Sequence, residues 1–215
     1  MPRMYLASAS PRRREILASL GFEFSLLAQD LDESSFDHLP PAERVVALAL
    51  AKARLAAKAL VSRPEAEGAL VLAADTLVCD PRPASPEMED FRDAAGCLAF
   101  GKPRDRAEAR RALAFLAGRR HEVHSSLAAL EIPGGREETA LSTSRVSFAP
   151  LAPAEIEAYL DTGEWRDVAG AYRIQGRAAF HIGRIEGSWS GIVGLPIHEL
   201  YVMLTRLGFD LGPRP

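Results

Sequence analysis

Asp75 closes a run of six apolar residues, Ala69-Leu70-Val71-Leu72-Ala73-Ala74, and is the group in this chain best placed to do chemistry. An ionised carboxylate carried into such surroundings has to be paired, hydrogen-bonded or bound to a metal. At the end of a buried strand it would lie where open α/β sheets collect their ligands, near the carboxyl ends of strands. The plainer alternative is an Asp that caps a turn through its own backbone, helped by Thr76. A catalytic or metal-binding role is the stronger of the two readings.

A cationic cluster opens the chain at Ser8-Ala9-Ser10-Pro11-Arg12-Arg13-Arg14. It reads as a strand end, a tight polar loop and the start of a helix, with Ser10 as N-cap and Pro11 at the first helical position. Arginines in a first turn run against the helix dipole, at about 0.3–1 kcal/mol each. A bound anion would reconcile them, because free backbone N–H groups, two serine hydroxyls and a guanidinium fork all suit phosphate. Arginines splayed into water are the competing reading.

Four further positions belong to this survey. Lys102 precedes Pro103, so it is held extended outside the next helix, either as a point charge for phosphate or as a solvated loop lysine. Glu33, beside Asp32, offers a second acidic site able to share a hard cation with Asp75. Lys52 reads on its own as a lysine snorkelling from an apolar helix face. Gln175 lies in Gly170-Ala171-Tyr172-Arg173-Ile174-Gln175-Gly176, where flanking glycines permit close backbone approach and the amide can meet a base edge. Tyr172 reads as core. His121, His124, His181 and His198 lack metal-ligand spacing and read as structural, and Cys79 and Cys97 read as small apolar residues.

The elements that must position these groups follow from periodicity and punctuation. A strand leads into the first loop, the helix behind it stops at Gly21, and Phe22 to Leu27 forms a second strand. An alanine-rich helix is expected over Pro41 to Leu60 and a doubly covered strand over Ala69 to Ala74, running on towards Cys79. The proline-rich excursion from Asp80 to Phe100 predicts a short helix after Ser85-Pro86 or a mobile flap. A helix over Asp105 to Leu116, a hairpin of His121–Ile132 with Thr139–Phe148, and a helix over Pro153 to Leu160 come next. The last third turns glycine-rich, and Pro196 opens a helix through Leu207. This alternation predicts an α/β fold with a mixed sheet flanked by helices, in a single domain over residues 1–215.

Totals exclude several classes. A formal net charge of −3 gives no electrostatic case for a nucleic-acid polymer, and Trp165 and Trp189 have no basic residues interleaved for base stacking. The longest apolar stretch, Val45 to Val61, is broken by Lys52, Arg54 and Lys58, so no membrane span is expected. Two cysteines and no visible signal peptide point to a reducing cytoplasm.

Taken in order, Ser8-Ala9-Ser10-Pro11-Arg12-Arg13, Ala74-Asp75-Thr76, Gly101-Lys102-Pro103, Ala169 to Gly176 and Val193-Gly194-Leu195-Pro196 resemble the motifs of the Maf family. Those proteins are nucleoside triphosphate pyrophosphatases, also called septum formation inhibitors. The resemblance spans essentially the whole chain. It implies two lobes around a deep cleft, in outline shared with inosine triphosphate pyrophosphatases, and a cytoplasmic enzyme that needs a divalent cation (Mg²⁺ or Mn²⁺) and is often a homodimer. It implies Asp75 as the proton acceptor that activates water, with Lys52 and Lys102 adding positive charge. Ser8, Ser10, Arg12 and Arg13 would cradle the triphosphate, and Glu33 would help Asp75 hold the metal. Arg12, Thr76 and Gln175 resemble the branch that hydrolyses dTTP and UTP, whereas the 7-methyl-GTP branch carries Ser-Asp-Gln at the Ala-Asp-Thr position. The rival expectation is a non-catalytic regulator of septum formation that binds a nucleotide or a protein. Three features depart from the family pattern: Val168 in place of a lysine, Gly191 in place of an asparagine, and the long excursion over residues 80–100.

Overall fold

Among the described residues, seven strands form a mixed sheet flanked by six α-helices, as the alternation of apolar runs and amphipathic segments predicts. The computed structural model describes residues 3–27, 30–82, 86–209 and 211. In chain order the strands are β1 (Met4–Ala7), β2 (Phe24–Leu26), β3 (Leu70–Asp80), β4 (Leu98–Phe100), β5 (Arg120–Glu131), β6 (Glu137–Phe148) and β7 (Ile182–Glu186). They are ordered β2-β1-β3-β5-β6-β7, with β4 also paired to β3. The first three neighbours are parallel, and the rest of the sheet is antiparallel.

The central strand differs from expectation in a way that makes the site. Asp75 does not end its strand; β3 continues for five more residues, to Asp80. Its edge, however, changes partner. β1 runs parallel to Leu70–Ala73 and stops at Ala7, while β4 pairs antiparallel with Val78–Asp80. Between them, residues 74–77 have no strand on that edge among the described residues. A crevice opens at the carboxyl end of β1, in accord with the rule for open sheets.

Helix α2 (Pro41–Leu60) takes its predicted bounds and packs on one face of β3 and β5. Its stripe of Ala49, Ala53, Ala56 and Leu60 is buried against Val71, Ala73 and Ala128, and Leu48 is buried as well. Alanine favours the helix and lets it lie close to the sheet, and each buried leucine contributes roughly 1.5–3 kcal/mol. Buried side chains of α1 (Pro11–Ser19), α3 (Arg106–Leu116), α4 (Pro153–Asp161) and α6 (Ile197–Arg206) join the other cluster, around Leu72, Val123 and Leu127. The Asp105 carboxylate caps α3 by accepting from Glu108 N at 2.8 Å.

Two features of the sequence reading need adjustment here. The excursion resolves into a 3₁₀ turn over Pro86–Phe91 followed by β4, with Ser85 outside the described residues. The glycine-rich third holds β7 and a five-residue helix, α5 (Trp189–Val193), which were not foreseen. Segments of five residues are too short to display a period.

Candidate active site

The crevice beside β3 is a cavity of about 760 Å³, within the range of small-molecule sites. All of the positions singled out in the sequence border it: Asp75, Lys52, Lys102, Ser8, Ser10, Arg12, Arg13, Thr76, Gln175 and Glu33. Strand β1 delivers Ser8, α1 the arginines, α2 Lys52, β3 the aspartate and threonine, and the loop after β4 Lys102.

One wall is acidic and internally paired. Asp75 is 8% exposed, and Lys52 Nζ donates to its Oδ1 at 2.6 Å. The same ammonium lies 2.7 Å from Glu33 Oε1, so it bridges the two carboxylates. Burial pushes the Asp75 carboxyl above the usual carboxylate range, while the charges of Lys52 and Arg13 pull the other way without cancelling it. Two carboxylates converging on one cationic point are also the kind of oxygen ligand that a hard divalent ion takes, with water completing its shell. Asp75 and Glu33 are thus the residues that would hold such an ion.

The opposite wall is cationic and built on the first turn of α1. Ser10 occupies the N-cap position but makes no side-chain cap bond, contrary to expectation. The N–H groups of Arg12 and Arg13 stay available at the cavity, as helix geometry leaves them. Ser8 Oγ accepts from Ser10 N at 3.2 Å and from Arg13 Nη1 at 3.1 Å, which leaves its own hydroxyl proton free to donate. Lys102 is exposed and, among the described residues, has no ion-pair partner.

Arg13 is a clamp more than a free fork. Its Nε donates to Gly194 O at 2.8 Å and its Nη2 to Thr76 Oγ1 at 3.1 Å. Ser125 Oγ donates to Gly191 O at 2.6 Å, so the 2.7 Å contact between Thr76 and Ser125 has the threonine as donor. A one-way chain of hydrogen bonds thus runs from Arg13 through Thr76 and Ser125 to the Gly191 carbonyl. Such chains polarise each member in turn. Arg13 is half-buried, and burial lowers its pKa from the ordinary arginine value without removing its charge. Arg12 instead reaches Asp167 O at 2.9 Å.

The loop that carries Gln175 is held under backbone strain. Asp167 and Ala171 both have positive φ, 58° and 60°, which is costly without a glycine. Gly170, at φ 73°, presses so close to β3 that a Cβ there would stand 2.9 Å from Val78 Cγ2. Tyr172 is buried as expected, its hydroxyl 2.9 Å from His121 Nε2 and its ring edge-on to Phe148. Gln175 is exposed at the rim of the cavity.

The reading of the sequence missed one cation. Arg44 also lines the cavity, ion-paired with Asp37. Arg44, Leu48 and Lys52 are spaced i, i+4, i+8 on α2, a helical stripe that would have revealed it. Arg166 and Arg173 border the site too, on either side of the buried Val168 that stands where a lysine was expected.

A crevice with a strand-borne carboxylate on one wall and guanidinium, ammonium and helix N–H groups on the other defines an α/β protein suited to hold a polyanion beside a base. The chain belongs to the Maf-like protein family, whose model matches residues 3–207. It is 45% identical to a dTTP/UTP pyrophosphatase of Moorella thermoacetica, covering 100% of both chains. It is 44% identical to a dTTP/UTP pyrophosphatase of Treponema denticola, covering 98% of this chain and 100% of that one. A looser likeness links it to the Staphylococcus aureus Ham1 protein, at 18% identity and TM-score 0.43 over 68% of this chain and 72% of the other.

Proposed function

We propose that the protein hydrolyses a nucleoside triphosphate, dTTP or UTP, to the monophosphate and pyrophosphate. The observation that carries this reading is the pairing of a buried Asp75, its pKa raised by burial, with Lys52, in one cavity with Ser8, Arg12 and Lys102. Family membership and the names of the similar proteins support it.

In this reading the triphosphate lies against the first turn of α1. Its oxygens take the N–H groups of Arg12 and Arg13, the Ser8 hydroxyl and the Lys102 ammonium. Asp75 accepts a proton from water, and the water oxygen displaces pyrophosphate at the α–β anhydride. Burial raises the pKa of Asp75, which makes its ionised form a better base than an ordinary carboxylate. Asp75 and Glu33 would hold a divalent cation, which would supply charge neutralisation at the phosphates. Arg13 acts from behind, fixing Ser8 and Thr76 and adding its charge to the wall. Gln175 and Arg12 face the base and sugar end and select a pyrimidine. Removing one donor to the developing charge costs about 10²–10³ in rate. The same reading places the enzyme in the cytoplasm with its nucleotide substrates.

The test is a nucleotide panel with Mg²⁺ or Mn²⁺, with pyrophosphate detected as phosphate after adding inorganic pyrophosphatase. Expected are turnover of dTTP and UTP and stoichiometric monophosphate. Saturable nucleotide binding with no product would overturn the proposal and favour the non-catalytic regulator.

A further inference from the structure

A second group of ligating side chains lies outside this cavity, further along the same face of the sheet. Cys79 on β3 and Glu122 on β5 are register partners. His124 follows Glu122 by two residues, so all three project from one face. One ligand atom from each lies within 4.8 Å of the other two. Only cross-strand pairing joins the cysteine to its partners, which is why spacing along the sequence left His124 as structural and Cys79 as a small apolar residue.

We propose that Cys79, Glu122 and His124 form a binding site for a zinc-type transition-metal ion, separate from the hard cation of Asp75 and Glu33. His124 Nδ1 lies 2.9 Å from Thr143 Oγ1. With Nδ1–H donated to that hydroxyl, Nε2 keeps its lone pair, as in histidines whose second nitrogen is anchored behind a metal. Nε2 then faces Glu122 Oε2 at 3.6 Å. That is too long for a hydrogen bond. It is near the roughly 3.4 Å expected between two ligands with bonds of about 2.1 Å to one tetrahedral ion. Meanwhile Arg145 Nε donates to Glu122 Oε1 at 3.0 Å and so orients the carboxylate, leaving Oε2 towards His124.

Thus each polar ligand is braced by a partner outside the trio, His124 by Thr143 and Glu122 by Arg145. The chemistry of the set chooses the ion. A thiolate and a carboxylate balance a divalent charge, and sulfur with imidazole selects Zn²⁺ or Co²⁺ over Mg²⁺. Glu122 keeps 22% of its side chain exposed, so water can fill the fourth position. Cys79 follows Asp75 by four residues on β3, about 13 Å along the strand, so the two ions share no ligand. The site does not depend on the reaction proposed above.

The test uses the full chain, stripped with a chelator and held in excess Mg²⁺ to keep the hard site supplied. One equivalent of Co²⁺ should produce a thiolate-to-cobalt charge-transfer band in the near ultraviolet, which one equivalent of Zn²⁺ abolishes. Cys79→Ser should lose the band, Cys97→Ser should keep it, and Glu122→Gln should weaken binding about 10-fold or more. Hydrolysis with Mg²⁺ should be unchanged in Cys79→Ser and Glu122→Gln, which separates this site from the cavity. Absence of the band in the unmodified chain, or its persistence in Cys79→Ser, overturns the proposal. Should Cys79→Ser fail to fold, Glu122→Gln decides, since an unchanged Co²⁺ affinity there also overturns it.

Discussion

Lys52 Nζ stands 2.6 Å from Asp75 Oδ1 on the wall of the cavity, and this pair sets the properties of the site. Both side chains are largely removed from water, at 15% and 12% exposure, so neither charge is well hydrated. Burial raises the Asp75 pKa more than the attraction of Lys52 and Arg13 lowers it, and Glu33 adds to the rise. The carboxylate needed for catalysis therefore sits where the fold would prefer a neutral group.

Asp75→Asn should consequently lose activity and gain stability. Turnover should fall by about 10²–10⁴, the usual contribution of a positioned base. The sign of the stability change follows from linkage. Between the ordinary carboxylate pKa and the raised native one, the folded chain binds a proton that the unfolded chain releases, so stability falls as pH rises through that window. Above it, the ionised Asp75 is a net cost that asparagine removes. Melting curves against pH should show a higher Tm for the variant above that window, with the difference closing as pH drops through it. A variant with near-native kcat would rule out Asp75 as the base.

Lys52→Gln tests the other half of the pair. Without the ammonium, Asp75 and Glu33 repel each other with one less counter-charge, so the Asp75 pKa should climb further. The base works only when ionised. The acid limb of the kcat/KM profile should therefore move to higher pH, with kcat lower by about 10²-fold. An acid limb at its original position would exclude this coupling.

What the sequence disclosed, and what it concealed, divides along physical lines. The apolar run before Asp75 and the arginines of the first turn are local signals, legible because burial and helix polarity act on neighbouring residues. The helix over Pro41–Leu60 was equally legible, because its stripe repeats through twenty residues. Arg44 was legible too, two turns before Lys52 on one helical stripe, but its pairing with Asp37 and its place on the cavity wall come only with the fold. The extension of β3 past Asp75 depends on β4 and β5, which supply its hydrogen bonds from distant parts of the chain. The same is true of the Cys79, Glu122 and His124 group, which cross-strand register assembles.

Thr76→Val probes the hydrogen-bond chain behind the cavity. Valine keeps the shape of threonine but removes the acceptor of Arg13 Nη2 and the donor to Ser125. Leaving this half-buried donor unpaired costs up to about 1–3 kcal/mol. For a chain of this size that lowers Tm by about 2–4 °C per kcal/mol. Ser125→Ala should cost a similar amount, and the double variant less than the sum of the two, since they break one chain. Strict additivity in calorimetric Tm and ΔH would show that the chain is not cooperative.

Gly170→Ala tests how the loop bearing Gln175 is held against β3. Two independent penalties fall on this position. An L-residue at φ 73° costs roughly 1–2 kcal/mol. The added methyl would also meet Val78 Cγ2 at 2.9 Å and Tyr172 Cε1 at 3.1 Å, and overpacking of this kind costs about 1–3 kcal/mol. Val78 and Tyr172 both line the cavity, so relief of the clash displaces its wall. Stability should fall, and KM for the nucleotide should rise more than kcat falls, because Asp75 and Lys52 lie on β3 and α2 and stay in place. The two penalties can be separated with Val78→Ala, which removes the clash but not the dihedral strain. In that background the cost of Gly170→Ala should shrink by about 1 kcal/mol or more, read as a coupling energy in a double-mutant cycle. An unchanged cost would assign the whole effect to the backbone and show that loop and strand are not in repulsive contact there.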